Sequence, residues 1–211
     1  FSDEEPHYIL HISFDILLMD GNSARLLYDE LTSLYHSSDL QLPALTVSYR
    51  DYIIQMEKIR ASDLFIKDRE YWLNKLPDYN FDLQLPLSCR VTDIEKPRFN
   101  KLTKVITSAV WEKIKAKALK YDVGLTSIIM VIYGKVLSYW SNQTSLCINL
   151  TLFNRIPLHP QINDILGDFT VLELFDYKNL EVEQKSILNE IRSNHEQLWQ
   201  DIEHNIFDGI D

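Results

Sequence analysis

An α/β sandwich with a mixed sheet is the fold that this 211-residue sequence predicts. Apolar and polar side chains alternate in several short segments, which is typical of half-buried strands, and apolar side chains recur at helical spacing in longer ones. The two patterns follow each other irregularly, which favours a mixed sheet over a doubly wound parallel sheet. With 45% hydrophobic residues, the chain has enough apolar surface to form a sizeable core.

Strands are expected where the alternation is clearest. The segments are residues 8–19, read as a strand or as a strand followed by a loop, then 103–107, 146–152 and one that begins at 168–170. The last of these follows a loop, residues 154–167, in which Pro157 and Pro160 prevent a regular helix.

Helices are expected where apolar residues recur every three or four positions. The first expected helix is capped by Asn22 or Ser23, the second covers 49–56 and the third begins after Ser62. A fourth is capped by Ser108, and two more cover 126–140 and about 183–204. Between 77 and 100 the pattern lapses and three prolines forbid a continuous helix. We therefore expect two lobes, residues 1–76 and 101–211, joined by a crossing segment at 77–100.

Composition excludes several classes of function. The formal net charge is -10, so nucleic acid and anionic membranes would be repelled, and the lysines at 113–120 read as the solvated face of a helix. Cys89 and Cys147 lie far apart without metal-binding spacing, and the histidines form no metal motif, so no metal is expected. The cysteine usage fits a reducing, cytoplasmic setting. The start at Phe1, without methionine or leader, leads us to expect a piece of a longer protein.

Two carboxylates mark the first candidate site. Asp15, Asp20 and Ser23 form the pattern DxxxxDxxS where a strand pattern gives way to a helix pattern. Buried carboxylates are costly unless they have partners. One interpretation is a polar cluster on a channel wall. The other, favoured by spacing alone, makes Asp20 a structural ion-pair partner and Asp15 a turn cap.

DxxxxDxxS resembles the signature of heterocyclization domains, which are relatives of the condensation domains of non-ribosomal peptide synthetases. Further motifs agree in order. They are Glu70-Tyr71-Trp72 with Leu76-Pro77, Val136-Leu137-Ser138-Tyr139-Trp140-Ser141, Phe153-Asn154-Arg155 with Pro157 and His159-Pro160, and Gly167-Asp168-Phe169-Thr170. Together they cover most of the chain.

The resemblance implies part of a chloramphenicol-acetyltransferase-like fold, a two-lobed sandwich with a substrate tunnel between the lobes. Residues 1–76 would be the C-terminal part of the N lobe, and residues 101–211 the first part of the C lobe. Ordinary condensation domains carry HHxxxDG, and alignment on Asp20-Gly21 places Asp15 at the first histidine and Ile16 at the second. Because an aliphatic side chain cannot transfer a proton, the motif favours cyclization over plain condensation.

The implied activity joins an acyl thioester to cysteine, serine or threonine on a carrier protein and then closes a thiazoline or oxazoline ring with loss of water. Peptidyl or aryl carrier domains and an adenylation domain would be the partners, and the phosphopantetheine arms would belong to the carriers. No cofactor would be bound directly. A siderophore is a product typical of the family. The family's candidate catalytic residues would lie beyond Asp211, so we expect the fragment alone to be inactive.

Within the chain, Asp20 and Arg155 are expected to form a structural, bidentate ion pair between the two motifs. The other motif residues expected to line or shape the tunnel are Asp15, Ser23, Asn154, Asp168 and Thr170. Two alternatives stay open. One is an ordinary condensation or acyltransferase domain of the same fold, and the other is an inactive module that docks carrier proteins.

Overall fold

The computed structural model describes residues 8–179 and 186–209 and confirms the α/β class. Its helices and strands are α1 (Gly21–His36), α2 (Tyr49–Arg60), α3 (Asp63–Lys75), α4 (Ser108–Tyr121), α5 (Leu125–Ser141), β1 (Ser145–Phe153), β2 (Thr170–Lys178) and α6 (Ile187–Ile202). Contacts divide the chain into two compact units, one formed by Phe1–Ser62 with Thr151–Val171 and the other by Asp63–Leu150 with Leu172–Asp211. The expected lobe boundary at 77–100 stays a prediction.

The two strands form an antiparallel sheet. At one end the amide of Asn154 donates to the carbonyl of Phe169, and at the other the amide of Asn179 donates to the carbonyl of Thr144. Residue numbers therefore rise along β1 as they fall along β2.

The outer edge of each strand also makes hydrogen bonds. Asn80 holds β1, because its carbonyl accepts from the amide of Cys147 and its side-chain amide donates to the carbonyl of Ser145. On β2, the amide of Gly209 donates to the carbonyl of Leu172, and the side chain of Gln197 donates to the carbonyl of Asp176.

The first unit contains α1, α2 and the loop between β1 and β2. The start of α2 is fixed by a capping box in which Ser48 and Asp51 each accept from the other's backbone amide. The core of this unit is formed by Tyr52, Ile162, Ile165 and Phe169.

The second unit packs α5 and α6 with the strand pair. Val131 and Tyr177 are fully buried at its centre, with Phe175, Leu146 and Leu198 around them. Gly134 of α5 lies against the ring of Tyr177, where any side chain would overlap that ring. Both α4 and α5 end at a residue in the left-handed conformation, Asp122 and Asn142, which closes the last turn.

Two expected strands are wrong. Residues 8–15 and 103–107 form no strand in the described ranges, and residues 16–18 form a turn. Alternation reports which side chains share a face, whereas a strand also needs a hydrogen-bonded neighbour that local sequence cannot supply.

Two helix caps also differ from expectation. Asp20, rather than Asn22 or Ser23, caps α1, and Thr107 occupies the N-cap position of α4 with Ser108 as its first helical residue. The other predicted helices and the strand at 146–152 are confirmed to within a few residues. Residues 183–185, the expected start of the last helix, lie outside the described residues.

No single helix of the described residues is long and apolar enough to cross a membrane. The consecutive pair α4 and α5 passes that test of length and composition only when joined, and the two helices are bent by 107°.

Candidate functional site

Asp20 anchors the start of α1 and is 1% exposed. Its Oδ1 accepts from the amide of Ser23 at 2.6 Å, and its Oδ2 accepts from the amide of Phe169 at 3.1 Å. The Asp20 amide donates in turn to the carbonyl of Gly167 at 3.0 Å. A carboxylate at a helix N-terminus is also stabilised by the helix dipole, so this acidic residue is a structural cap with both oxygens occupied.

Ser23 is fully buried, and its hydroxyl makes three hydrogen bonds. It donates to the carbonyl of Gly167 at 2.7 Å and accepts from the Gly167 amide at 3.1 Å and from Arg155 Nη2 at 2.8 Å. A hydroxyl has one proton and two lone pairs, so its bonding capacity is filled. Ser23 therefore joins α1 to both downstream motifs.

The Arg155 side chain is 4% exposed and lies at the centre of this cluster. Its Nη1 donates to the carbonyls of Ile162 and Ile165, each at 2.8 Å, which holds the loop between the strands. Its guanidinium carbon lies 3.9 Å from the ring centroid of Phe169, a cation–π geometry. Arg155 thus organises the loop as well as the acidic cap.

The structure brings Arg155 and Asp20 together, but not in the bidentate geometry expected. Nη2 of Arg155 lies 3.7 Å from Oδ1 of Asp20, which is an ion-pair distance and too long for a hydrogen bond. The guanidinium N–H groups donate to Ser23 and the loop carbonyls instead. Burial lowers the pKa of Arg155 and the Asp20 carboxylate acts in the opposite direction, so the neighbouring charge favours the protonated guanidinium.

Tyr49 of α2 covers the Gly167-Asp168-Phe169-Thr170 motif. Its hydroxyl donates to the carbonyl of Asp168, and its ring meets that of Phe169 edge-on at 5.1 Å. A side chain at Gly167 would overlap the Tyr49 ring, so this position requires glycine. Burial, followed by the charge of Asp168, raises the pKa of Tyr49 and keeps its hydroxyl a donor. Sequence analysis assigned Tyr49 only to a helix face, because nothing local connects it to a motif over a hundred residues away.

Asn154, Asp168 and Thr170 are half-buried around the same cluster. The carbonyl of Asn154 accepts from the hydroxyl of Tyr52 at 3.2 Å, and the carboxylate of Asp168 accepts from the amide of Thr170 at 3.0 Å. These contacts shape the turn before β2. Their expected place on a tunnel wall stays a prediction.

Asp15 lies apart from the cluster and is exposed. Its carboxylate accepts from the amide of Leu17 at 2.9 Å and its carbonyl from that of Leu18 at 3.0 Å, so it caps the turn at 16–18. Ile16 follows with its side chain 73% exposed. The two carboxylates of DxxxxD therefore lie in different environments. That of Asp20 is buried and hydrogen-bonded, and that of Asp15 is exposed to solvent.

No group of three or more histidine, cysteine or acidic side chains in the described ranges is placed to hold a metal ion. Apart from Nε of Arg155, which has no hydrogen-bond partner in the described ranges, the buried side-chain atoms of Asp20, Ser23 and Arg155 bond to one another and to backbone. As it stands, this arrangement orients backbone and helix ends.

The chain resembles solved structures of non-ribosomal peptide synthetase domains and curated proteins that are named synthases or synthetases. The cyclization-docking bidomain of EpoB, a non-ribosomal peptide synthetase of Sorangium cellulosum, superimposes with a TM-score of 0.84 and 28% identity over 90% of this chain and 38% of the bidomain. Bacitracin synthase 1 of Bacillus licheniformis is 34% identical over 99% of this chain, which spans 4% of that protein. Pyochelin synthetase PchF of Pseudomonas aeruginosa is 30% identical over 96% of this chain, which spans 11% of that protein.

These similarities and the fold place the molecule in the class of non-ribosomal peptide synthetase domains that share the condensation fold. The chain belongs to the Condensation domain family, whose model matches residues 1–174. It covers only a small part of each relative's length.

Proposed function

We propose that the chain is part of a heterocyclization domain. The domain would condense a carrier-bound acyl thioester with carrier-bound cysteine, serine or threonine, and would then cyclodehydrate the product to a thiazoline or oxazoline. The observation that carries the proposal is Ile16, an exposed aliphatic side chain at the position where the condensation motif has its second histidine. The resemblance to the EpoB cyclization-docking bidomain and to PchF supports the same reading.

The chemistry has two stages with different needs. In the first, the amine of the acceptor attacks the thioester carbonyl, an amide forms and the donor carrier's thiol leaves. In the second, the acceptor's thiol or hydroxyl adds to the new amide carbonyl and water is expelled. Proton transfer is needed in both stages, and holding both carrier arms together supplies the proximity contribution.

The residues of this chain would act by positioning. Both oxygens of Asp20 already accept backbone hydrogen bonds, so it is unsuited to proton transfer and suited to fixing α1 against the motif before β2. Asp15 is solvent-exposed and free to approach a substrate arm. On this proposal the proton-transferring groups belong to residues beyond Asp211, no metal or redox cofactor takes part, and the phosphopantetheine arms arrive on the carrier domains in the cytoplasm.

Intact-mass analysis tests the proposal. A domain extended at both ends would be incubated with an acyl-loaded carrier and a cysteine-loaded carrier. A condensed product lighter by one water supports heterocyclization, whereas a product that keeps the water indicates ordinary condensation. No transfer at all would favour a module that only docks carrier proteins.

Substitutions then separate the two acidic residues. Asp20→Asn should lower the folded yield and the rates of condensation and cyclodehydration together, because it disturbs the buried contacts of Asp20 with Ser23, Phe169 and Arg155. Asp15→Asn should leave the fold unchanged. Asp29→Asn, an exposed substitution on the same helix, serves as the matched control.

A further inference from the structure

A second buried acidic cluster lies in the other unit and includes Tyr71 of the Glu70-Tyr71-Trp72 motif. Asp201 at the end of α6 is 1% exposed, and Glu173 of β2 is 4% exposed. Oδ1 of Asp201 accepts from the hydroxyl of Tyr71 at 2.6 Å and from the ammonium of Lys75. One acidic residue of this cluster is therefore well supplied with donors.

Glu173 has no such support. Among the described residues neither of its carboxylate oxygens has a hydrogen-bond partner, and Oδ2 of Asp201 is also without one. Burial and the carboxylates of Asp201 and Asp208 raise the pKa of Glu173, and the cation of Lys75 lowers it. With both Glu173 and Asp201 ionised, the cluster would hold more buried negative charge than its single cation balances, which is strongly unfavourable.

We propose that Glu173 is a proton-binding site. When Glu173 is protonated, the end of α6 is held against β2, and when Glu173 ionises, this end of the helix opens more readily. Protonation falls on Glu173 rather than Asp201 because the donors of Tyr71 and Lys75 are already directed to Asp201. The proton removes the excess charge and turns Glu173 into a donor, next to a carboxylate that has an oxygen to spare.

The elements that would respond are defined by their contacts. Gln197 of α6 donates to the carbonyl of Asp176 in β2, and Gly209 donates to the carbonyl of Leu172. Trp72 donates to the carbonyl of His204 just after α6. A negative charge on Glu173 would repel the Asp201 carboxylate and weaken the three hydrogen bonds that hold this segment. The α6 residues from about 197 onward should therefore open first.

Burial, followed by the charge of Asp201, raises the pKa of Glu173 to about 7. In an opened segment the pKa returns to about 4.3, the ordinary value for glutamate. A group whose pKa is raised in the folded state stabilises that state at low pH, and the contribution is lost as the pH rises towards the folded value. The opening constant of this segment should therefore increase roughly thirtyfold between pH 5.5 and pH 8.

Two measurements on the 211-residue chain test the proposal. In protein labelled with ¹³C-glutamate, the Glu173 carboxyl resonance, assigned by its loss in Glu173→Gln, should titrate near pH 7. A midpoint close to 4.3 would overturn the proposal. The titration itself is recorded on the unaltered protein and needs no substrate.

Hydrogen exchange measures the consequence. After correction for the intrinsic rate, the amides of residues 197–204 and Gly209 should open roughly thirtyfold more at pH 8 than at pH 5.5. His204, a second ionisable side chain of this segment, is bonded to Asp68, so the comparison with Glu173→Gln is essential. The increase should vanish in Glu173→Gln and persist in Glu196→Gln, an exposed substitution on the same helix. The same increase in both variants would refute the role of Glu173.

Discussion

The two buried acidic clusters of this chain differ in how their carboxylates are supplied with donors. In the first, the Asp20 carboxylate accepts from two backbone amides and has Arg155 beside it, and the Ser23 hydroxyl is saturated. In the second, neither oxygen of Glu173 and only one oxygen of Asp201 has a hydrogen-bond partner among the residues that the structure describes. The comparison shows that burial alone does not define the role of an acidic residue. A carboxylate with donors is an anchor, and one without them responds to pH.

The largest effect is expected when the anchor loses its cation. Arg155→Ala would leave the buried Asp20 carboxylate without its cation, remove two bonds to loop carbonyls and take away one of the two donors to the Ser23 hydroxyl. The free energy of unfolding should fall by about 3 to 5 kcal/mol, as for other broken buried pairs. Urea unfolding measures it, with the exposed Arg50→Ala as control. If Arg155→Ala unfolds at the same urea concentration as the unaltered chain, the cluster is not the anchor described.

The next effect tests the pH-sensitive cluster. Lys75→Met removes the cation beside Asp201 and the charge that lowers the pKa of Glu173. The Lys75 side chain is 27% exposed, so we expect a somewhat smaller loss, about 2 to 4 kcal/mol at pH 8. The loss should be smaller at pH 5.5, because Glu173 then binds a proton in place of the missing charge.

Urea unfolding at both pH values measures this dependence. Lys67→Met, an exposed substitution on the same helix, is the control. A loss of equal size at the two pH values would show that Lys75 acts through packing against Tyr71 rather than through charge.

A smaller effect is expected at Gly167, in the turn before β2. Gly167→Ala places a methyl group into the ring of Tyr49 and should lower the free energy of unfolding by about 1 to 3 kcal/mol. In a double-mutant cycle, Tyr49→Ala should relieve much of this loss, because it removes the ring atoms that the new methyl group would overlap. Strictly additive losses would mean that the strain at Gly167 arises elsewhere.

The smallest effect is expected at an ion pair of the same chemistry in solvent. Arg25 and Asp29 on α1 are 3.0 Å apart, with side chains 68% and 63% exposed. Arg25→Ala should change the free energy of unfolding by less than about 0.5 kcal/mol, and the change should shrink further in high salt. A loss comparable to that of Arg155→Ala would contradict the importance assigned here to burial.

Sequence reasoning succeeded where the information was local. The spacing of Tyr49, Tyr52 and Met56 was enough to predict α2, and the alternation from Leu146 to Leu152 was enough to predict β1. The motifs also led to Asp20, Ser23 and Arg155, which the structure brings together. Their detailed bonding could not be foreseen, because backbone carbonyls compete with the carboxylate for the same guanidinium.

Non-local features escaped prediction. Residues 8–15 alternate like a strand yet have no strand partner in the described ranges, since pairing depends on distant chain. Glu173 lies on the same face of β2 as the buried Phe175 and Tyr177, where a charged side chain is costly. Nothing in the local pattern marks the approach of α6 and Asp201 that encloses it.

The hydrogen bonds made by Asn80, Gly209 and Gln197 have a consequence for solubility. A two-stranded sheet exposes two rows of backbone donors and acceptors, and such rows are templates on which another molecule can add a strand and begin to aggregate. Here the carbonyl and side chain of Asn80 occupy part of the row on β1, while Gly209 and Gln197 occupy part of the row on β2. These three residues shield the short sheet from uncontrolled self-association.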